Sequence, residues 1–578
     1  MMIHSIRIDR DVPMTMRDGV RLRADIYRPD DREKYPAIII RTPYNKILSG
    51  GYGYLPAYRA AFEGYAIIIQ DTRGRFASEG EFRPMSPEGP DGYDTIETVA
   101  AEPWSDGNIG MAGGSYLGRV QWEAAMEQPP HLKAIAPAII SSGPLSETRR
   151  KGLVDLEQSI SWFGAMAIDM IEKMAKEGKE VAEMRRKVGY ALLNLDEACR
   201  YLPLKDLPYF NFEGLSEGFA ARIGDGVLAG MKSEEDLYWK YGKVKVPCFH
   251  AGGWYDLFLG GLFENFLNMR EKGGSREARD GQHVLCGPWA HETNLIPYVG
   301  GLHFGPTASG VAGFAMERHI AFFNKYLKGI ESRYLVPIRY FVMGRNRWKS
   351  ADTWPLPETT WRRFFLHSQG RANSAAGDGT LDRENPCAEP PDVYTYDPRF
   401  PVPTQGGRNL PAGILVPGPL DQTHLEKRND VLCYTTPELR EGLEVTGPLS
   451  LHLFAATQAP DTDFTVKLVD VYPDGSAYNV AEGGIRARYR KSILKPELIK
   501  PGEIFEYTID LGATSIVFNR GHHIRIDISS SNFPRIDRNL NTGNPFGEDA
   551  EGKPVIQTIF HQADFASYID LPVIPGTG

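Results

Sequence analysis

Short apolar runs recur along the first third of the chain. Pro36-Ala37-Ile38-Ile39-Ile40 and Tyr65-Ala66-Ile67-Ile68-Ile69 are continuous and β-branched, the pattern of strands buried on both faces of a parallel sheet. Residues 132–136 supply another such run. Ahead of them, residues 12–16 and 20–26 alternate around Asp18-Gly19, which predicts a hairpin. Residues 58–63 and 119–127 predict helices. Alternation of buried strand and helix predicts an α/β domain with a mainly parallel sheet.

The pattern changes between 145 and 243. Buried β-branched runs disappear and a helical period replaces them: Leu153, Leu156, Ile160 and Phe163, then Val181, Met184, Val188, Leu192 and Leu195, with Gly178 and Pro203 as punctuation. This stretch predicts a helical insertion that covers a site as a cap. Strand signals return at 244–250, leading into Ala251-Gly252-Gly253-Trp254-Tyr255-Asp256, and at 283–286, leading into Gly287-Pro288-Trp289-Ala290-His291. Helices are predicted at 262–269 and 315–327. Residues 368–419 are rich in Gly, Pro, Asp and Asn without periodicity and read as loops. Beyond them, period-two runs at 449–453, 464–468 and 524–528, with a turn at Pro473-Asp474-Gly475, predict an antiparallel β-sandwich or jelly roll. The expected division is an α/β core at 1–144 and 244–351, a helical cap at 145–243, and a β domain at 352–578.

Length and composition narrow this picture. The 578 residues exceed what one hydrophobic core supports. No apolar run reaches the length of a membrane span, so no membrane partner is expected. A net charge of −9 argues against a nucleic-acid partner. The five cysteines are scattered without C-x-x-C spacing, which suggests neither a disulfide framework nor a zinc site and fits a reducing, cytoplasmic location. The first eleven residues carry charges and no apolar core with a cleavage site, so they read as a mature start. A homo-oligomer is compatible with these features.

The chemistry centres on Gly113-Gly114-Ser115-Tyr116-Leu117-Gly118. An apolar run enters it and a helical stretch leaves it, so Ser115 sits at the apex of a strand–turn–helix elbow. A serine hydroxyl needs a base to take its proton and a carboxylate to orient that base. In an α/β hydrolase these follow in the order Ser, Asp, His, each at the end of a later strand. Asp256 and His291 satisfy both order and placement. His250 and His283 lie inside strand runs and read as structural. His131 lies in a loop, and His319 lies in a predicted helix. Asp71 precedes the serine and reads as a partner for a guanidinium, and Asp280 as solvated. The Tyr116 N–H is the expected first oxyanion donor. An HGGG-type loop for the second is absent. The corresponding loop, Arg41-Thr42-Pro43-Tyr44, offers the Tyr44 hydroxyl, with an aromatic packed under the cap as the competing role.

At these residues the chain resembles the cocaine esterase family, within the X-Pro dipeptidyl-peptidase-like group of α/β serine hydrolases. The segments that carry the resemblance are Arg41-Thr42-Pro43-Tyr44, Asp71-Thr72-Arg73-Gly74, Trp104-Ser105-Asp106-Gly107, Gly113-Gly114-Ser115-Tyr116, Gly253-Trp254-Tyr255-Asp256, Gly287-Pro288-Trp289-Ala290-His291 and Thr446-Gly447-Pro448. The resemblance implies a Ser115, Asp256 and His291 triad with an oxyanion hole from Tyr116 N–H and the Tyr44 hydroxyl. It also implies an α/β-hydrolase core with inserted helical cap and a C-terminal jelly roll of the galactose-binding-like kind. The cap is the part least like the family, so specificity is expected to be written there.

The expected function is hydrolysis of carboxylic esters through an acyl-enzyme, without cofactor or metal, on a small-molecule ester or amide. Trp162, Phe163 and Phe258 are the expected pocket residues. An amide-acting acylase, an α-amino-acid ester hydrolase or an X-Pro peptidase would use the same triad and would need carboxylates near the pocket. The cap offers Asp155, Glu157 and Asp169, though isolated cap acids are usually solvated. A protein of another class, binding glycans on its β domain above an inert core, is the remaining alternative.

Overall fold

The computed structural model describes residues 5–49, 54–143, 150–223, 228, 231–411 and 413–576. The expected boundary between core and cap, at 144/145, lies outside them. The core strands are β1 (Ile6–Thr15), β2 (Arg21–Pro29), β3 (Tyr35–Thr42), β4 (Ala66–Asp71), β5 (Ser105–Gly114), β6 (Leu132–Ala138), β7 (Cys248–Tyr255) and β8 (Gln282–Ala290). They run β1-β2-β4-β3-β5-β6-β7-β8 across the sheet, which continues into Ile338–Val342 and Arg347–Ala351. From β4 to Ile338–Val342 every neighbour is parallel. The hairpin at Asp18-Gly19 forms the antiparallel edge.

The isoleucine runs explain why this sheet is central. Ile38, Ile39 and Ile40 pair in register with Ile67, Ile68 and Ile69. Successive side chains on a strand point to opposite faces, so the runs serve two cores. Ile38, Ile40, Ile67 and Ile69 pack with Phe249, Trp289 and Phe323. Ile39 and Ile68 pack on the other face with Ile96, Ile109 and Trp122. All six isoleucines are fully buried.

Between β6 and β7 lie the helices Leu156–Lys176, Ala182–Leu193, Leu195–Arg200 and Ser216–Ile223. The first buries Ile160, Phe163, Ala167, Met170 and Ile171 and stops at Gly178, whose φ of +81° suits a glycine at a helix end. The strand expected from 244 begins instead at Cys248. Val244 closes a turn onto the Tyr241 carbonyl, and Pro247 has no N–H to give a ladder.

The C-terminal part is β-rich, eleven strands connected in one hydrogen-bonded network among the described residues. Its longest pair, Leu443–Thr457 with Phe505–Phe518, is antiparallel. Residues 368–419 are not all loop: Thr380–Asp382 and Asp392–Tyr396 are short strands. Core and β-rich part share one apolar cluster, in which Trp254 and Tyr255 of β7 join Leu453, Ile509 and Phe518. Reciprocal backbone bonds at Met343, to Ser515 and from Val517, pin the two together next to the end of β7.

Candidate active site

Ser115 stands between the last residue of β5 and the helix Tyr116–Met126. Its backbone has φ 58° and ψ −124°, a strained conformation for a residue with a side chain. Three backbone bonds hold it. Its N–H reaches the Ala138 carbonyl at 3.0 Å, and its carbonyl accepts from Gly118 and Arg119 at 2.8 and 3.0 Å. The neighbouring glycines are steric requirements. A Cβ on Gly113 would lie 2.4 Å from the Leu117 Cβ, and one on Gly118 would lie 3.0 Å from the Ile140 Cβ. Tyr116 opens the helix, so its N–H lacks an intrahelical acceptor and is available as a donor beside the serine.

Asp256 and His291 directly follow β7 and β8. The strand ends press together here: a Cβ on Gly253 would fall 2.1 Å from the Trp289 carbonyl oxygen. Trp254 Nε1 donates to the Phe341 carbonyl at 2.7 Å, and Trp289 Nε1 to the Ala308 carbonyl at 2.6 Å, so both indoles anchor the turns that follow. The outcome is a contact of 2.8 Å between His291 Nδ1 and Asp256 Oδ2, both residues being 1% exposed. Asp256 Oδ1 accepts the Phe258 N–H at 2.7 Å. With Nδ1 engaged, Nε2 is the imidazole nitrogen left for a serine proton. Burial works against the imidazolium, but the charge and hydrogen bond of Asp256, helped by Glu292, outweigh it, so the His291 pKa lies above its ordinary value.

Tyr44 comes from the loop after β3. Its hydroxyl accepts the Trp162 indole N–H at 3.0 Å. Burial pushes its pKa up to about 12, so the phenol keeps its proton for donation. Arg75, fully buried, ties this loop to the cap. Its Nε donates to the Pro43 carbonyl at 2.9 Å and its Nη1 to the Met166 carbonyl at 2.8 Å. Asp71 does not meet a guanidinium as expected. It accepts the backbone N–H groups of Lys46 at 2.7 Å and Ala77 at 3.3 Å, and so shapes the same loop from below. Burial raises its pKa to about 6. The arginine of that segment, Arg73, binds Asp91 and Asp18.

Ser115, Tyr44, Tyr116 and His291 line one cavity of about 610 Å³, within the range of small-molecule sites. Trp162 and Phe258 line it as expected. Phe163 does not. It is fully buried in the cap's own core against Phe210 and Phe219. Neighbours on a helix are rotated by about 100°, so Trp162 faces the cavity and Phe163 turns away. None of Asp155, Glu157 and Asp169 is fully exposed, nor is any of the three among the cavity residues. Glu157 is 1% exposed and accepts from Ile414 N–H at 3.3 Å; burial lifts its pKa to about 7. Burial likewise raises that of Asp155, beside Arg535 and Arg222. Asp169 accepts the Phe76 N–H at 3.0 Å. Leu410 of the β-rich part, Arg222 of the cap and Glu292 also line the cavity. Glu292 adjoins His291 and carries a chemical signal in the sequence; Leu410 and Arg222 carry none.

The four other histidines weighed in the sequence are engaged elsewhere. His250 meets Gln282 at 2.8 Å, His283 the Val336 carbonyl at 3.0 Å, His319 the Ala315 carbonyl at 2.8 Å and His131 Glu97 at 2.7 Å. Among the described residues, no group of three or more His, Cys, Asp and Glu side chains is placed to hold a metal ion.

Residues 18–293 match the X-Pro dipeptidyl-peptidase (S15 family) model, and residues 335–570 match the X-Pro dipeptidyl-peptidase C-terminal non-catalytic domain. The cocaine esterase of Rhodococcus sp. (strain MB1 Bresler) is 37% identical over 583 residues, covering 98% of each chain. The chain belongs to the cocaine esterase-like family of serine hydrolases. It is accordingly a serine hydrolase enzyme, built from the family's α/β-hydrolase domain and a C-terminal β-rich domain. Two solved structures share the whole architecture. An α-amino acid ester hydrolase has a TM-score of 0.76 at 24% identity, covering 99% of this chain and 97% of its own. An aminopeptidase from a marine sediment Thaumarchaeota archaeon has the same values. At that identity the likeness is one of fold.

Proposed function

We propose that this serine hydrolase cleaves carboxylic esters through an acyl-enzyme on Ser115. The observation that carries the reading is the convergence on one cavity of Ser115, Tyr44 and His291, with His291 paired to Asp256 at 2.8 Å. His291 Nε2 takes the Ser115 proton as Oγ attacks the ester carbonyl. Asp256 holds the imidazole and stabilises the imidazolium. The carbonyl oxygen becomes an oxyanion held by the Tyr44 hydroxyl and the Tyr116 N–H. The imidazolium returns the proton to the leaving alcohol, and the acyl group stays on Oγ. Water then attacks the acyl-enzyme, with His291 taking its proton, and the acid leaves.

The amide-acting alternatives asked the cap acids to recognise a substrate ammonium. Asp155, Glu157 and Asp169 are spent on structural contacts away from the cavity, so these three are not placed to meet such a group. The β-rich part buttresses the core through the shared apolar cluster and lends Leu410 to the cavity wall, a role that needs no glycan ligand. Among the described residues no helix is long and apolar enough to cross a membrane. All five cysteines are unpaired, and a reducing compartment remains our reading of them.

Ser115→Ala tests the assignment. Turnover of a nitrophenyl ester should fall by on the order of 10⁴–10⁶-fold, with loss of fluorophosphonate labelling. Labelling that persists in the variant would place the nucleophile elsewhere.

A further inference from the structure

The cap meets both proposed oxyanion donors through one side chain. Trp162, on the helix Leu156–Lys176, donates its indole N–H to the Tyr44 oxygen at 3.0 Å. The same indole stacks on the Tyr116 ring, with centroids 6.1 Å apart and planes at 19°. Tyr116 in turn meets Tyr44 edge to face at 6.5 Å. Two anchors fix this group of rings. The Tyr116 hydroxyl donates to Glu88 Oε1 at 3.0 Å. The buried Arg75 guanidinium donates to the carbonyl of Pro43, next to Tyr44, and to that of Met166, about one helical turn beyond Trp162. A single rigid fork thus sets the separation of the Tyr44 loop from the cap helix.

This arrangement decides where the Tyr44 proton points. An indole nitrogen can only donate, and a phenol carries one proton of its own. With Trp162 donating to the Tyr44 oxygen, the phenolic proton finds no acceptor on the indole and turns away from it. Tyr44, Trp162 and Ser115 all line the one cavity. The bond received from the indole also polarises the phenol and strengthens its own donation.

We propose that Trp162 is a positioning residue that holds the Tyr44 O–H toward the oxyanion, so that the oxyanion hole is complete only with the cap docked. This rests on the ester reading above, with Tyr44 as an oxyanion donor.

The test is a double-mutant cycle of Trp162→Phe and Tyr44→Phe, read as kcat per titrated active site on nitrophenyl butyrate. Trp162→Phe keeps an aromatic wall and removes the N–H. Its fold-loss in kcat should be about three- to tenfold larger with Tyr44 present than in the Tyr44→Phe background, the size of one neutral hydrogen bond. A lost contact between Trp162 and the substrate is common to both backgrounds and cancels. Trp162→Leu, which also lacks the N–H, should show the same coupling. Equal fold-losses in the two backgrounds overturn the proposal and leave Trp162 as pocket wall alone. A wild-type kcat in Tyr44→Phe overturns it as well, by removing the group through which Trp162 acts. Failure of wild type to cleave the ester overturns the ester reading itself, and this inference with it.

Discussion

Tyr44→Phe removes one oxygen and leaves the ring. In the resting enzyme that hydroxyl accepts from Trp162 Nε1 at 3.0 Å, a neutral contact worth about 0.5–1.5 kcal/mol. In the transition state it faces an oxyanion, where a preorganised donor is worth about 2.7–4 kcal/mol. The difference, roughly 2–3 kcal/mol, corresponds to a 30- to 150-fold lower kcat at about 1.36 kcal/mol per factor of ten. KM should move by less than about threefold, because the ground-state carbonyl gains little from the donor. Steady-state turnover of a nitrophenyl ester with thermal unfolding of the same sample separates this from packing. Tyr44 is only half-buried, so water replaces the hydroxyl for Trp162 and the unfolding midpoint should change little. A kcat within about fivefold of wild type, or a loss of activity that tracks a loss of stability, would refute the oxyanion role.

Three other outcomes follow from the same geometry. His291 must be neutral to accept a proton, and Asp256 holds its pKa above the ordinary 6.5 despite burial; the acid limb of kcat/KM should therefore have its midpoint above that value, and a midpoint below it contradicts the pairing. Gly113→Ala forces a Cβ to 2.4 Å from Leu117 Cβ at φ +140°, and should cost roughly 2–4 kcal/mol, read as a lower urea midpoint; an unchanged midpoint would show that the elbow relaxes. Glu157 keeps its proton in the folded chain up to about pH 7, against an ordinary 4.5. The unfolded chain releases it earlier, so this group lowers stability as pH rises between those values. Glu157→Gln should thus gain on wild type between about pH 4.5 and 7, by up to about 3 kcal/mol, and a pH-independent difference would contradict that burial.

How much of this was legible beforehand differs by residue. Ser115 shows in the sequence because its strained turn demands Gly113 and Gly118 at fixed offsets. Asp256 and His291 show because a buried strand is a continuous apolar run, and topology delivers the first polar residue past its end to one edge of the sheet. Leu410 and Arg222 do not show. A hydrophobic or cationic side chain on a loop or cap helix has no pattern that names its neighbour. Glu157 and Asp71 mislead for a related reason: a carboxylate on a helix or strand end reads as solvated or ion-paired, and its capture by backbone N–H groups of distant segments leaves no local trace.

The sequence alone therefore determined the order of strands and helices and the chain positions of the proposed nucleophile, carboxylate and base, since periodicity and glycine placement are local constraints. Only the tertiary structure decided the walls of the cavity. The apolar stripe of the helix Leu156–Lys176 is wide enough to meet two surfaces, and packing alone sent Trp162 to the cavity and Phe163 to the cap core. The same docking brought Leu410 of the β-rich part into the lining that holds His291 and Glu292. Specificity depends on how separate segments meet, and the meeting surfaces are set by the sum of many weak contacts that no single stretch of sequence encodes.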